Sequence, residues 1–408
     1  MPKNARSSSS VAGKKNKKNR KNDSNDSLCY NCTPIELNEY LNSNNSEKKY
    51  EIDDFGCPKY YKDNDLVYQR GQIPEINVEE YLTLRISKLQ DFNSEELQLN
   101  DEDCISINPI DNTVIINNTL IKSKNIAVSR YISNGCYGVI FVSSEVEGVK
   151  YVIKLIIFNE KNKNEIETMI DIKKRNNTNI PNFINIAYYH FKCNAIRHNS
   201  KSKLLNGIDT TLKKKEYTML ILEYFDDEVY SKLKHVYGEP ETLTNDKKCI
   251  YAQMLLSIYL FHNKFNYYHK DAHLKNFLYK KVTANEKYFH YKIKNARGEE
   301  YNYYIKNEGY IVVLSDFGLS QKKERVQLIR ELPRDDYYDI LFNIESYFIS
   351  GHYFSADIKD RFKEYFNKIY RSQQYDELEF LNFMMINILG IKTELIRGDA
   401  IINAIAYE

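Results

Sequence analysis

Between Ile126 and Phe158 the chain reads IAVSRYISNGCYGVIFVSSEVEGVKYVIKLIIF. Apolar and polar residues alternate there, and glycines mark the turns. A period of two suits half-buried strands rather than a helix, so the stretch predicts three consecutive antiparallel strands. NKNEIETMIDIKKR follows with helical spacing, and YTMLILEYF is again an apolar strand. After Phe225 the pattern turns mainly helical. CIYAQMLLSIYLFHNKF places Ile250, Met254, Leu255 and Ile258 on one face, and IKDRFKEYFNKIY does the same with Ile358, Phe362, Phe366 and Ile369. A β-rich half followed by a helical half predicts an α+β fold of two lobes with a cleft between them.

The chain is long enough for this. Its 408 residues are 42% hydrophobic and 13% aromatic, which supports a sizeable core. Tyr is abundant, 35 against 19 Phe with no Trp, and with the many Asn, Lys and Ile this reads as coding bias rather than chemistry. Net charge is +2 but uneven: up to Lys21 there are 8 basic residues and no acid, leaving 50 basic against 56 acidic beyond it. Residues 1–45, with KKNKKNRKN, bury nothing and are expected to form a disordered basic tail. Such a tail suits a nuclear signal or a weak hold on nucleic acid or an acidic surface, and equally a solvated end.

The 7 Cys are scattered. Cys29 and Cys32 form one C-x-x-C with no second pair to complete a zinc site, so free thiols in a reducing compartment are expected. No apolar run reaches the length of a membrane span, and the N-terminus carries no secretory pattern. Residues 46–125 form an extension of open role. VEEYLTLRISKLQDF in it reads as a helix, and NTVIINNTLI as strands around an Asn-rich turn.

The chemistry gathers in a few places. Gly135 and Gly138 lie in a turn between strands, where glycine lets the backbone approach a phosphate. Lys154 sits among apolar neighbours in YVIKL, where its charge needs a partner. The following helix offers Glu165 and Glu167. Glu165 is the better placed, bracketed by Ile166 and Met169 on the buried face. Asp271 lies just after the long apolar helix, in YYHKDAHLKNFLY, and can orient a hydroxyl and accept its proton. Asn276 offers an amide oxygen suited to a hard cation such as Mg²⁺. Asp316 follows the apolar strand YIVVL and precedes Phe317 and Gly318. A second D-F-G at Asp54–Gly56 lacks such a strand and is read as coincidence.

Glycine loop, strand Lys, helix Glu, H-x-D-x-x-x-x-N and D-F-G occur here in that order, and the order resembles the protein-kinase signature set. The resemblance runs from about Ile126 to Leu341 and implies a bilobal kinase-like fold: a small antiparallel β lobe with one key helix at 126–225, and a mainly helical lobe at 226–408. It implies that Gly135 and Gly138 cover the phosphates of ATP, and that Lys154, paired with Glu165, holds them. After Leu222, the backbone of Glu223, Tyr224 and Phe225 would receive adenine. His269 would support the catalytic loop, Asp271 would be the base, Asn276 and Asp316 would hold Mg²⁺, and Asp336 would tie down the loop.

Departures from the family pattern carry information. Ser133 stands for the first loop glycine. Lys270 replaces an Arg that grips an activation-loop phosphate, which predicts little control by such phosphorylation. His273 stands where Ser/Thr kinases carry Lys, as in small-molecule kinases of the aminoglycoside and choline type, and is expected near the transferred phosphate. The hairpin-like insert at about 280–310, with its turn at Arg297–Gly298, is similar to those in kinase-like proteins of large cytoplasmic DNA viruses. No A-P-E follows. The resemblance therefore implies an atypical, Mg²⁺- and ATP-dependent serine/threonine protein kinase acting inside a host cell or virion, on protein hydroxyls. A small-molecule phosphotransferase and a pseudokinase scaffold are the alternatives.

Overall fold

The computed structural model describes residues 51–52, 58–59, 61–62, 65–66, 76–91, 97–98, 105–107, 114–116, 127–135, 138–143, 150–157, 163–175, 187–193, 217–233, 242–294, 297–323, 336–350, 354–371 and 373–407. The expected basic tail, the Cys29–Cys32 pair and the Asp54–Gly56 triplet lie outside these residues. The chain separates into two units, Met1–Gln72 and Ile73–Glu408. The first holds two short antiparallel pairs, β1 (Glu51–Ile52) with β2 (Pro58–Lys59) and β3 (Tyr61–Lys62) with β4 (Asp65–Leu66).

The second unit opens with helix α1 (Val78–Asp91) and strands β5 (Leu97–Gln98), β6 (Ile105–Ile107) and β7 (Val114–Ile116). The alternating stretch forms β8 (Ala127–Gly135), β9 (Gly138–Ser143) and β10 (Tyr151–Ile157), as its pattern predicts. Helix α2 (Lys163–Arg175), β11 (Ala187–Cys193) and β12 (Tyr217–Glu223) follow. These strands build one eight-stranded sheet in the order β5-β11-β12-β10-β9-β8-β7-β6. Strands of the extension thus continue the sheet at both edges. In β10 the pleat buries Tyr151, Ile153 and Leu155 fully and leaves Val152 and Lys154 half-buried on the other face.

The remainder combines helices with small sheets. After β13 (Asp227–Glu228) and α3 (Tyr230–Leu233) comes α4 (Asn245–Asn263). The sequence pattern assigns α4 one apolar face, but every residue from Cys249 to His262 is buried. A helix covered on all sides is a core element, and here α4 packs against several of the surrounding strands and helices. Strands β14 (Tyr267–Tyr268), β15 (Phe277–Lys281), β16 (Lys287–Lys294), β17 (Glu300–Lys306), β18 (Tyr310–Leu314) and β19 (Gln321–Lys322) come next. Helices α5 (Tyr338–Ser350), α6 (Ala356–Tyr370) and α7 (Glu377–Phe383) and strand β20 (Ala400–Tyr407) complete the chain. In α6 Phe362, Tyr365 and Ile369 are buried, while Ile358 and Phe366 pack at the margin of the core.

The expected hairpin insert is β16 and β17, turning at Gly298, whose φ of 80° suits a residue without Cβ. β20 adds to it in parallel with β16, a pairing that local pattern cannot disclose. β15 and β18 pair antiparallel with Phe277 opposite Leu314. The end of β18 therefore lies beside the start of β15, although about forty residues separate Asn276 from Asp316.

Candidate active site

Lys154 is held between two carboxylates. Its Nζ lies 2.6 Å from Glu165 Oε1 and 3.5 Å from Asp316 Oδ1. The partner is Glu165; Glu167 faces outward and pairs with Lys163 at 3.5 Å. Helical spacing explains the choice, because Glu165, Ile166 and Met169 are buried and Glu167 is exposed. Burial alone would lower the Lys154 ammonium, but the carboxylates of Glu165 and Asp316 outweigh it and hold the pKa above its ordinary value. Burial also raises the Glu165 carboxyl, against the pull of Lys154. A second tie fixes α2: Asp171 accepts from the Tyr267 hydroxyl at 3.0 Å and faces Lys322 Nζ at 3.6 Å.

Asp316 takes the left-handed region, φ 61° and ψ 75°. Backbone of this kind costs about 1–3 kcal/mol in a non-glycine residue, so something must hold it. Phe317 does so from the core, stacked on Phe261 at 5.3 Å and edge-on to His269 at 5.6 Å. Asp316 Oδ1 is buried and accepts no hydrogen bond, while the side chain as a whole is 40% exposed.

Asn276 and Asp271 are joined to each other. Asn276 Nδ2 donates to the Asp271 carbonyl at 2.8 Å and to its carboxylate Oδ2 at 3.1 Å. This commits the amide nitrogen and leaves Oδ1 for a cation. Ser315 donates through N and Oγ to the Asn276 carbonyl, at 2.8 and 3.0 Å, which fixes Asp316 next to Asn276. His273 Nε2 stands 3.7 Å from Asp271 Oδ2, each side chain about two-fifths exposed. Among the described residues no group of three or more His, Cys, Asp or Glu is placed to hold a metal. One carboxylate and one amide oxygen nonetheless match what Mg²⁺ takes from protein when phosphates supply other ligands, and the Asp316 carboxylate, 40% exposed beside Lys154, fits that use.

Asp336 belongs to a network of buried charge. Asp336 accepts from the amides of His269 and Lys270, both at 2.6 Å. The second amide belongs to a residue held at φ 66°. His262 bridges Asp336 at 2.8 Å and Glu377 at 2.6 Å, and the Tyr337 hydroxyl donates to Glu377 at 2.7 Å. Burial opposes the imidazolium, yet Glu377 and Asp336 together raise the His262 pKa to about 10. Burial likewise opposes the two carboxylates, and His262 brings both below their ordinary values. His269 differs: burial lowers its pKa, and as the neutral ring it donates Nε2–H to the Ser315 carbonyl at 2.9 Å. Lys270 Nζ donates to Gln321 Oε1 at 2.6 Å.

Gly135 closes β8 and Gly138 opens β9, facing each other in register; residues 136–137 between them lie outside the described residues. Glu223 ends β12 with its side chain buried, bonded to the Tyr81 hydroxyl and, at 2.7 Å, to Arg85 Nε. Anything it gives a ligand comes from its backbone. The Tyr224 ring is half-buried with Lys280 Nζ 5.3 Å from its centre, and Phe225 is buried. His262, Glu377, Tyr81 and Arg85 escaped the sequence reading. Two signals were present: Arg85 follows Val78, Tyr81 and Leu82 on one helical face, and His262 sits in the last turn of a helix too apolar to leave it exposed.

No family model matches the chain, and no curated protein matches it. Among solved structures it is similar to the BubR1 kinase domain, with a TM-score of 0.40 and 14% identity over 76% of this chain and 92% of that one. No helix among the described residues is long and apolar enough to cross a membrane.

Proposed function

We propose that this chain is an Mg²⁺- and ATP-dependent phosphotransferase with a bilobal kinase-like layout, transferring phosphate to serine and threonine hydroxyls of proteins inside the cell. The observation that carries the reading is Lys154, shared between Glu165 at 2.6 Å and Asp316 at 3.5 Å, with Asp316 tied through Ser315 to Asn276 and Asp271. A buried ammonium, an amide oxygen and the half-buried carboxylates of Asp316 and Asp271 together supply what phosphoryl transfer asks of a protein, which is positioning and charge.

When bound, Mg·ATP supplies the transferable phosphoryl group and the cation that offsets its charge. Lys154 binds phosphate oxygens, and Glu165 keeps its ammonium aimed. Asp316 and Asn276 Oδ1 hold the cation. Asp271 receives the acceptor hydroxyl and takes its proton. Asn276 Nδ2, 3.1 Å from the Asp271 carboxylate, keeps that oxygen in place. The backbone of Glu223, Tyr224 and Phe225 receives the base, and Gly135 and Gly138 cover the phosphates.

A second reading, transfer to a small molecule, is favoured by His273, which stands 3.7 Å from Asp271 Oδ2 and open to solvent. The test is transfer from radiolabelled Mg·ATP to mixed proteins, to the chain itself and to a metabolite pool, with Asp271→Asn and Asp316→Ala as controls. Label in protein Ser or Thr that both substitutions abolish supports the protein kinase. Label confined to metabolites moves the reading to the small-molecule enzyme. Nucleotide binding without transfer leaves a scaffold.

A further inference from the structure

Tyr81 and Arg85 lie in the extension, yet they are buried on Glu223, the carboxylate that precedes Tyr224 and Phe225. Arg85 Nε meets Glu223 Oε2 at 2.7 Å with side-chain exposures of 2% and 6%, and the Tyr81 hydroxyl takes the other oxygen. The N-terminal end of α1 is fixed as well. Asn77 Oδ1 accepts from the amides of Glu79 and Glu80, at 2.9 and 3.3 Å. Thr283 N donates to the Ile76 carbonyl at 2.9 Å, Ile76 bridges Val282, and Lys287 Nζ meets Glu79 at 2.7 Å. On the far side of Tyr224 and Phe225, Asp226 is held in turn: Lys280 Nζ and Lys281 N donate to it at 3.0 and 2.7 Å, and its own amide donates to Tyr279 O at 2.9 Å.

The result is a closed circuit. Glu223 is pinned by α1, Asp226 by the end of β15, and α1 itself by residues 282–287 just beyond β15. Only Tyr224 and Phe225 lie between the two pinned carboxylates. A buried Arg–Glu pair adds little net stability over apolar side chains of the same volume. Two polar side chains on one buried carboxylate therefore serve geometry better than they serve the core.

We propose that Tyr81 and Arg85 are positioning residues for nucleotide binding, which through Glu223 fix the backbone of Tyr224 and Phe225, so that the extension helix belongs to the catalytic unit. This rests on the reading of Tyr224 and Phe225 as nucleotide contacts. Loss of the brace frees one end of that segment. Misplacement far from the reacting atoms weakens what depends on them by factors of ten or more.

The test compares Arg85→Met, Arg85→Lys and Tyr81→Phe in the full chain. Arg361→Ala serves as a control, an Arg lost from an exposed pair with Glu379. Two quantities are read: the KM for Mg·ATP against kcat, and hydrogen exchange at the Tyr224 and Phe225 amides without nucleotide. Arg85→Met is expected to raise KM on the order of tenfold, to change kcat at saturation less than about twofold and to speed exchange at these amides. Arg85→Lys recovers most of the loss, and Arg361→Ala does nothing. Should Arg85→Met fail to fold because it strands the Glu223 charge, Arg85→Met with Glu223→Leu removes both charges, and the same rise in KM is expected. Wild-type KM and wild-type exchange in either variant overturn the proposal. If the unaltered chain binds no Mg·ATP, the nucleotide reading falls on its own. Exchange then decides the brace: faster exchange supports it and unchanged exchange ends it.

Discussion

Two clusters of buried charge sit within one unit and are finished differently. In Glu377–His262–Asp336, the histidine nitrogens meet both carboxylates at 2.6 and 2.8 Å, and Asp336 also caps two backbone amides. Lys154–Glu165–Asp316 is left less complete: Asp316 Oδ1 faces only Lys154 Nζ, at 3.5 Å, and its side chain is 40% exposed, as is 39% of the Asp271 side chain. Burying a charge without partners is costly. A cluster whose partners are complete needs nothing more, whereas one with a part-exposed carboxylate has room for a ligand. The first cluster is framework, and the second is where the proposed chemistry would have space.

That division is broken most directly by substitutions on the open side. Asp271→Asn is expected to lower phosphate transfer on the order of 10³-fold, the range for losing a general base, while its melting temperature stays with the unaltered chain. Transfer assays beside thermal melts check this. A collapse of the melt would place Asp271 in the framework and erase the contrast.

The closed side predicts the reverse balance. His262→Leu leaves Asp336 and Glu377 buried without their shared cation, and breaking a buried pair from one side costs about 3–5 kcal/mol. Chemical denaturation measures it. The pH dependence has a defined sign. His262 rises from 6.5 to about 10 on folding, so its contribution is full below about 6.5 and fades as pH climbs through about 10. Asp336 and Glu377 are lowered from 3.8 and 4.5, so theirs is present above those values and fades as pH falls below them. The unaltered chain should lose stability progressively from about pH 6.5 to about pH 10, and His262→Leu should lack that slope.

How much of this the sequence disclosed follows from the range of each contact. Lys154 and Glu165 were legible because strand alternation and helix spacing are local signals. Asp271, Asn276 and Asp316 were legible because an antiparallel pair, β15 with β18, brings the ends of two recognisable segments together. Contacts between distant elements were hidden. Arg85 finds Glu223 across 138 positions, His262 finds Glu377 across 115, and β20 joins β16 from the far end of the chain. No periodicity in either partner states which other element it will meet. The all-round burial of α4 was missed for the same reason, since one apolar face shows in its own spacing and the rest depends on what surrounds it.

The smallest effect sharpens the contrast within a single helix. Glu165 and Glu167 are two positions apart on α2, which places them on different faces. Glu165→Gln keeps the shape but takes the charge from Lys154, whose ammonium is then left to Asp316 alone at 3.5 Å. Transfer should fall by about one to two orders of magnitude, in the range of a lost charge-assisted hydrogen bond to a charged partner. Glu167→Gln removes one side of an exposed i,i+4 pair with Lys163, with exposures of 47% and 49%. Such pairs contribute about 0.3–0.5 kcal/mol, so denaturation should shift by no more than that and transfer should not change. If the two substitutions were equal in transfer, the buried carboxylate would carry no more than the exposed one. Lys154 would then be oriented by Asp316, and the ion pair at its back would belong with the framework.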